Sequence, residues 1–121
     1  MQEGNFTDAI VLENMKTSSE VFDEEFFGPV FNLYKVGNSK DALDLANKSD
    51  FGLSSTIFTD DKDKAHIASR RLRSGTVFVN ECGYTGSDFP SGGIKGSGYG
   101  RECFSDGLLD TANRKTIIYK K

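Results

Sequence analysis

Apolar and polar positions follow two rhythms along this chain, and the switch between them marks the elements. Asp8 to Leu12 holds a short apolar run, Ala9-Ile10-Val11-Leu12, with β-branched residues inside it, and reads as a strand. Val30 to Val36 is aromatic and β-branched and predicts another. The spacing then becomes helical: Ala42, Leu43, Leu45 and Ala46 share one face behind the turn Gly37-Asn38-Ser39, where the Ser39 hydroxyl is the expected N-cap. Ser55 to Thr59 predicts a strand. A second helix follows, capped by Asp60 or Asp61, with Ala65, Ala68 and Leu72 at i, i+3 and i+7 and Gly75 as its terminator. Thr76 to Asn80 is the next strand.

Strand, helix, strand, helix, strand with such short connections predicts an α/β fold, a parallel β-α-β-α-β unit wound through right-handed crossovers. The apolar runs in its strands suit a sheet covered on both faces, yet the sequence offers no obvious cover for the second face. After Asn80 the periodicity stops, and Glu81 to Gly100 is a loop rich in glycine, serine and aromatics. A loop of that length in a compact domain is usually functional or in contact with something else. Arg101 to Asp110 predicts a short helix with Phe104, Leu108 and Cys103 inward, and Lys115 to Tyr119 reads as a last strand.

Composition narrows the classes. A chain of 121 residues has room for one domain and not for a dinucleotide fold plus a separate catalytic layer. Its formal charge of −3 and pI near 5.1 argue against a nucleic-acid partner. A mean hydropathy of −0.45 argues against a membrane partner. No signal segment opens the chain, and two cysteines make neither a disulfide scaffold nor a zinc site, so a cytoplasmic setting is expected.

Of the 13 glycines, Gly92, Gly93, Gly96, Gly98 and Gly100 crowd into one stretch. Two phosphate-binding patterns fail there. No Lys-Ser/Thr pair follows the glycines, and Gly96, Gly98 and Gly100 have the wrong spacing for a dinucleotide fingerprint. Close backbone approach or positive φ is the plainer use of such glycines. Neither cysteine has the surroundings of a nucleophile. Cys82 follows Glu81, whose charge disfavours a thiolate, and the only histidine, His66, lies among cationic residues on a helix.

Asp23-Glu24-Glu25 alone is an ordinary acidic turn. It runs directly into Phe26-Phe27-Gly28-Pro29, a stiff aromatic turn in which Pro29 fixes its own φ and restricts Gly28. A carboxylate held there is placed to accept hydrogen bonds from paired hydroxyls, as on a ribose, and a neighbouring aromatic to pack on a planar ring.

Glu24-Glu25-Phe26-Phe27-Gly28-Pro29 resembles the Glu-Glu-(Ile/Phe)-Phe-Gly-Pro signature of NAD(P)-dependent aldehyde dehydrogenases. The resemblance continues in Asn47 to Leu53 and in Gly75-Thr76-Val77-Phe78-Val79-Asn80. It ends in Gly92-Gly93-Ile94-Lys95-Gly96-Ser97-Gly98-Tyr99-Gly100-Arg101-Glu102. It covers residues 5 to 120 and is nearest the succinate-semialdehyde dehydrogenase branch. It implies that Glu25 holds the nicotinamide ribose of NAD or NADP and that Phe27 lies beside the nicotinamide. It implies too that Tyr84, Asp88, Phe89 and Ser91 line the aldehyde entrance, with Asn80 and the glycine loop as their support.

By the same resemblance, residues 1–29 carry a strand, a loop and the acidic-aromatic turn, and 30–80 the βαβαβ core. Residues 81–102 form the substrate-entrance loop, and 103–121 a helix and a strand, Lys115 to Tyr119, used with the sheet edge in homo-oligomer assembly. The family's nucleophilic cysteine and dinucleotide domain match nothing in this chain, so the isolated 121 residues are expected to be inactive. The other class consistent with the sequence is a truncated, non-catalytic fragment competent only for self-association. One departure stands out: Ser91 occupies the place of the family's Phe in Pro-Phe-Gly-Gly.

Overall fold

The computed structural model describes residues 4–121, which fall into two compact units, one ending at Ser49 and one running from Asp50 to Lys121. The first contains β1 (Ile10–Glu13), β2 (Val30–Leu33) and α1 (Ser39–Ala46). β1 and β2 pair in parallel, Ile10 opposite Val30 and Glu13 opposite Leu33. Pro29 sets up this pairing. Val30 N–H donates to the Gly28 carbonyl at 2.8 Å across a tight turn centred on the proline, and the Pro29 carbonyl accepts from Ile10 N–H at 2.8 Å.

α1 is capped by Asn38 rather than by Ser39. The Asn38 side-chain oxygen accepts from Asp41 N–H at 2.9 Å, and its amide donates back to the Asp41 carboxylate at 2.9 Å. Asparagine and serine cap about equally well, and the amide adds a donor that a hydroxyl cannot aim at the same time. The helix buries none of its residues completely; Leu43 and Leu45 are half-buried while Ala42 and Ala46 are exposed.

The second unit contains β3 (Phe51–Gly52), β4 (Ser54–Ile57), α2 (Lys62–Arg71), β5 (Thr76–Val79), β6 (Ile94–Lys95) and α3 (Phe104–Asp110). β4 and β5 pair in parallel, Ser54 opposite Thr76 and Ile57 opposite Val79, joined through α2 as the βαβ pattern requires. β3 and β6 form a short antiparallel pair. The fold is α/β with small parallel sheets, but the three strands expected in one sheet are divided. β2 takes β1 as its partner, and β4–β5 stands as a separate pair. Apolar runs specify strands without specifying which strand each one meets.

Three further expectations change. α2 stops at Arg71, with Leu72 as its C-cap in extended conformation, so Gly75 does not terminate it. Phe104 and Leu108 of α3 are 54% and 73% exposed rather than inward. Lys115 to Tyr119 forms no strand, because no sheet edge among the described residues pairs with it, and Ile118 is 87% exposed. No helix among the described residues is long and apolar enough to cross a membrane.

Ala65, on α2, is the one buried hydrophobic residue among those described. The second unit is therefore ordered chiefly by close backbone contacts. Gly75 N–H donates to the Gly52 carbonyl at 3.0 Å, and a Cβ on Gly75 would sit 1.7 Å from the Gly92 carbonyl oxygen. No rotamer change relieves a clash with backbone. Gly75→Ala is expected to cost about 3 kcal/mol in chemical denaturation. Gly28→Ala, with nothing within 4 Å of the added carbon, should stay within about 0.5 kcal/mol of the parent chain.

Asp61 caps α2, its carboxylate accepting from Lys64 N–H at 2.9 Å with the Lys64 ammonium at 3.3 Å. The backbone hydrogen bond from Lys64, followed by the side-chain bond from the same lysine, holds the Asp61 carboxyl below its ordinary range. A lowered folded-state value contributes stability above the unfolded value and loses it as pH falls through the folded one. Helical circular dichroism should thus fall on acidification below the ordinary aspartate range. Asp61→Asn, which caps without a charge, should remove that share of the acid dependence.

Candidate functional site

The acidic-aromatic turn lies in the first unit. Glu25 is exposed and engages no hydrogen bond among the described residues, and Phe27 is 95% exposed. Phe26, its neighbour, is only 37% exposed. The chain anchors one ring and presents the other, with the backbone behind it fixed by the Gly28–Val30 turn. A free carboxylate acceptor two residues from a free aromatic face, on a backbone that cannot flex at Pro29, suits a ligand offering hydroxyl donors and a flat ring.

The loop of residues 81–102 lies in the second unit, and the chain reverses immediately after β5. Tyr84 sits six residues beyond Phe78, a reach of about 20 Å if the strand simply continued. Instead the Tyr84 ring packs 5.5 Å from the Phe78 ring and 5.4 Å from Phe89, and Phe89 closes the triangle at 6.2 Å from Phe78. The Tyr84–Phe89 and Phe78–Phe89 pairs meet edge to face, the geometry that the ring quadrupoles favour. Asp88 is exposed, its carboxylate folded back against Gly86. Ser91 is half-buried and exchanges two backbone hydrogen bonds with Glu102, at 2.9 and 2.7 Å. Tyr84 and Ser91 both line an open cavity of about 930 Å³, together with Phe78, Arg101, Cys103 and Leu108.

The Ser91–Glu102 bridge closes the neck of a loop that is packed by its own contacts. Inside it, the Arg101 guanidinium donates from one nitrogen to the Gly93 carbonyl at 3.1 Å and the Gly100 carbonyl at 2.6 Å. The Asp110 carboxylate accepts from Arg101 N–H at 2.7 Å, which ties the loop to α3. Ser97 Oγ accepts from Gly52 N–H at 2.9 Å. These bonds decide the question of a phosphate cradle. Gly96, Ser97 and Gly98 all donate their N–H groups to carbonyls of the chain itself, at 2.8, 3.3 and 3.2 Å. Amides already spent on the protein do not form an anion nest. Both cysteines are free thiols, Cys82 exposed and Cys103 half-buried.

Residues 1–117 match the model of the aldehyde dehydrogenase family. The chain belongs to that family. It is 42% identical over 115 residues to an aldehyde dehydrogenase of Paenarthrobacter nicotinovorans, covering 95% of this chain and 25% of that one. It is 43% identical over 116 residues to the succinate semialdehyde dehydrogenase [NAD(P)+] Sad of Escherichia coli strain K12, covering 94% of this chain and 25% of that one. Among solved structures it superposes with a TM-score of 0.89 and 31% identity on a succinic semialdehyde dehydrogenase from Streptococcus pyogenes in complex with NADP+. That match takes in 96% of this chain and 26% of the other. The chain thus spans about a quarter of the length of the relatives it matches.

Within this aldehyde dehydrogenase chain, Tyr84, Phe89 and Ser91 come together in one unit, whereas Glu25 and Phe27 lie in the other. Sequence reasoning missed Phe78 as the third ring, although its place in an apolar strand two residues before Asn80 was visible. It also missed Arg101 as the fastener of the glycine loop, a role that no residue pattern announces. Arg101→Gln should release the Gly93 and Gly100 carbonyls, and tryptic cleavage after Lys95 is expected to rise several-fold. An unchanged cleavage rate would show that the backbone bridge alone keeps the loop closed.

Proposed function

We propose that this chain forms the C-terminal quarter of an NAD(P)-dependent aldehyde dehydrogenase that oxidises an aldehyde, succinate semialdehyde being the substrate suggested by its relatives, to a carboxylic acid. The observation that carries the reading is the pairing of an exposed Glu25 with an exposed Phe27 on a rigid turn, in a chain that matches the family model almost from end to end. NAD(P), when bound, supplies the hydride acceptor.

The chain's own residues bind and orient. Glu25 accepts hydrogen bonds from the nicotinamide ribose hydroxyls, and Phe27 offers its open face to the ring. Their exposure fits this, since neither group has to be freed from another partner first. Tyr84, Asp88, Phe89 and Ser91 border the aldehyde entrance. Neither Cys82 nor Cys103 is assigned a nucleophilic role, so the thiolate that adds to the carbonyl comes from elsewhere in the enzyme. The apolar surface left open here is the supporting sign of a segment that completes its packing with further structure: Ile117, Ile118 and Tyr119 are 65%, 87% and 86% exposed. Self-assembly into a homo-oligomer through the sheet edge and Lys115 to Tyr119 belongs to the same proposal.

The purified chain with succinate semialdehyde and NAD or NADP is expected to produce no NAD(P)H, and measurable turnover would overturn this division of labour. In an active polypeptide containing the chain, Glu25→Gln should raise the KM for NAD(P) about tenfold or more while changing kcat less. That is the worth of a charge-assisted hydrogen bond made in both ground and transition states. An unchanged KM removes Glu25 from the cofactor site.

A further inference from the structure

Asn80 is the last residue before the entrance loop, and its backbone is in the left-handed region, φ 55°. Its own N–H donates to the Ile57 carbonyl at 2.7 Å, completing the β4–β5 ladder. Its side chain then adds one more rung. Oδ1 accepts from Thr59 N–H at 2.8 Å, and Nδ2 donates to the Thr59 carbonyl at 2.9 Å. A primary amide has the same donor and acceptor as a peptide unit, so the side chain prolongs the sheet by one residue while the main chain turns away. That turn brings Gly83 over Phe78, where a Cβ would lie 3.5 Å from the ring, and places Tyr84 against the same ring.

We infer that Asn80 is a positioning residue for the entrance loop: its amide, paired with Thr59 in place of a backbone unit, sets the reversal that assembles Phe78, Tyr84 and Phe89. Both features of asparagine are used. It tolerates the left-handed conformation better than other non-glycine residues, and it carries a donor and an acceptor on one short arm. Glycine supplies only the first. Ionised aspartate can accept from Thr59 N–H but has nothing to give the Thr59 carbonyl, and it places a negative oxygen against that carbonyl. Protonated aspartate restores the donor and again imitates the amide.

The inference rests on the reading of residues 81–102 as the entrance loop. Its test needs neither aldehyde nor cofactor, so it can fail while that reading stands. On the 121-residue chain, proton contacts from the Tyr84 ring to the Phe78 and Phe89 rings are followed by NMR, with amide exchange at Thr59 alongside. In the parent chain the ring contacts should persist from about pH 7 to about pH 3. Asn80→Asp should lose them at about pH 7, with Thr59 exchange about tenfold faster. It should regain them on acidification through the ordinary aspartate range near ~3.9. Asn80→Gly should lose them at both values. Ring contacts that survive in Asn80→Gly would assign the reversal to backbone tolerance alone and overturn the inference. So would an Asn80→Asp chain that matches the parent at about pH 7, or one that fails to recover on acidification.

Discussion

The second unit depends on the approach of two backbones at Gly75 and Gly92. With a carbonyl oxygen of one strand lying where the Cβ of the other would be, 1.7 Å away, the residue at position 75 must be glycine before anything else can be arranged. Gly52 repeats the demand one strand over, since a side chain there would meet the Arg73 carbonyl at 2.8 Å and the Ile94 side chain at 2.9 Å. Backbones packed this closely exchange hydrogen bonds instead of burying side chains. The 91–102 loop is accordingly fastened by its neck bridge, by Arg101 and by Ser97, and not by a hydrophobic core.

That economy has a consequence for the whole chain. With Ala65 alone fully buried among the described apolar residues, the area that normally offsets conformational entropy is largely still open. Phe31 and Leu33 on β2 are 59% and 54% exposed, and Val11, opposite Phe31, is 56% exposed. A parallel strand pair with an apolar outer face is the signature of a sheet covered on both sides. A chain that matches about a quarter of each relative's length, and carries such a face, has the surface chemistry of an interior.

The local elements were legible because local chemistry specifies them. Asp61 and Asn38 stand at helix starts with free acceptors three residues before the N–H groups they cap, and the β4–β5 crossover follows from two apolar strands flanking an amphipathic helix. Pairing across distance was not legible. Nothing in Val30–Leu33 says that Ile10–Glu13 is its partner, and the two-residue strand at Ile94 is too short to show a period. Of the site, the carboxylate and the exposed ring of the acidic-aromatic turn could be read from Glu25 to Pro29, because proline restricts the backbone there. The ring triangle could not, because it hangs on one left-handed residue, Asn80, whose conformation the surrounding pattern does not encode.

The departure at Ser91 is best judged through its backbone. Both main-chain groups of Ser91 are committed to Glu102, at 2.9 and 2.7 Å, whatever the side chain is. Replacing the family's phenylalanine there leaves the neck of the loop intact and changes only what projects from it. A phenylalanine would bring an aromatic surface on the order of 150–250 Å² to this point, and serine brings a hydroxyl. The neighbouring rings of Phe78 and Tyr84 line the same cavity and keep one side of it aromatic. On the proposed reading, the entrance of this enzyme is therefore wider and more polar at Ser91 than the family pattern, with the difference confined to the cavity wall. Such a wall favours an aldehyde with a polar end over one with a bulky apolar tail, because an apolar tail gains little beside a hydroxyl that stays hydrated and a polar end can share its hydrogen bonds.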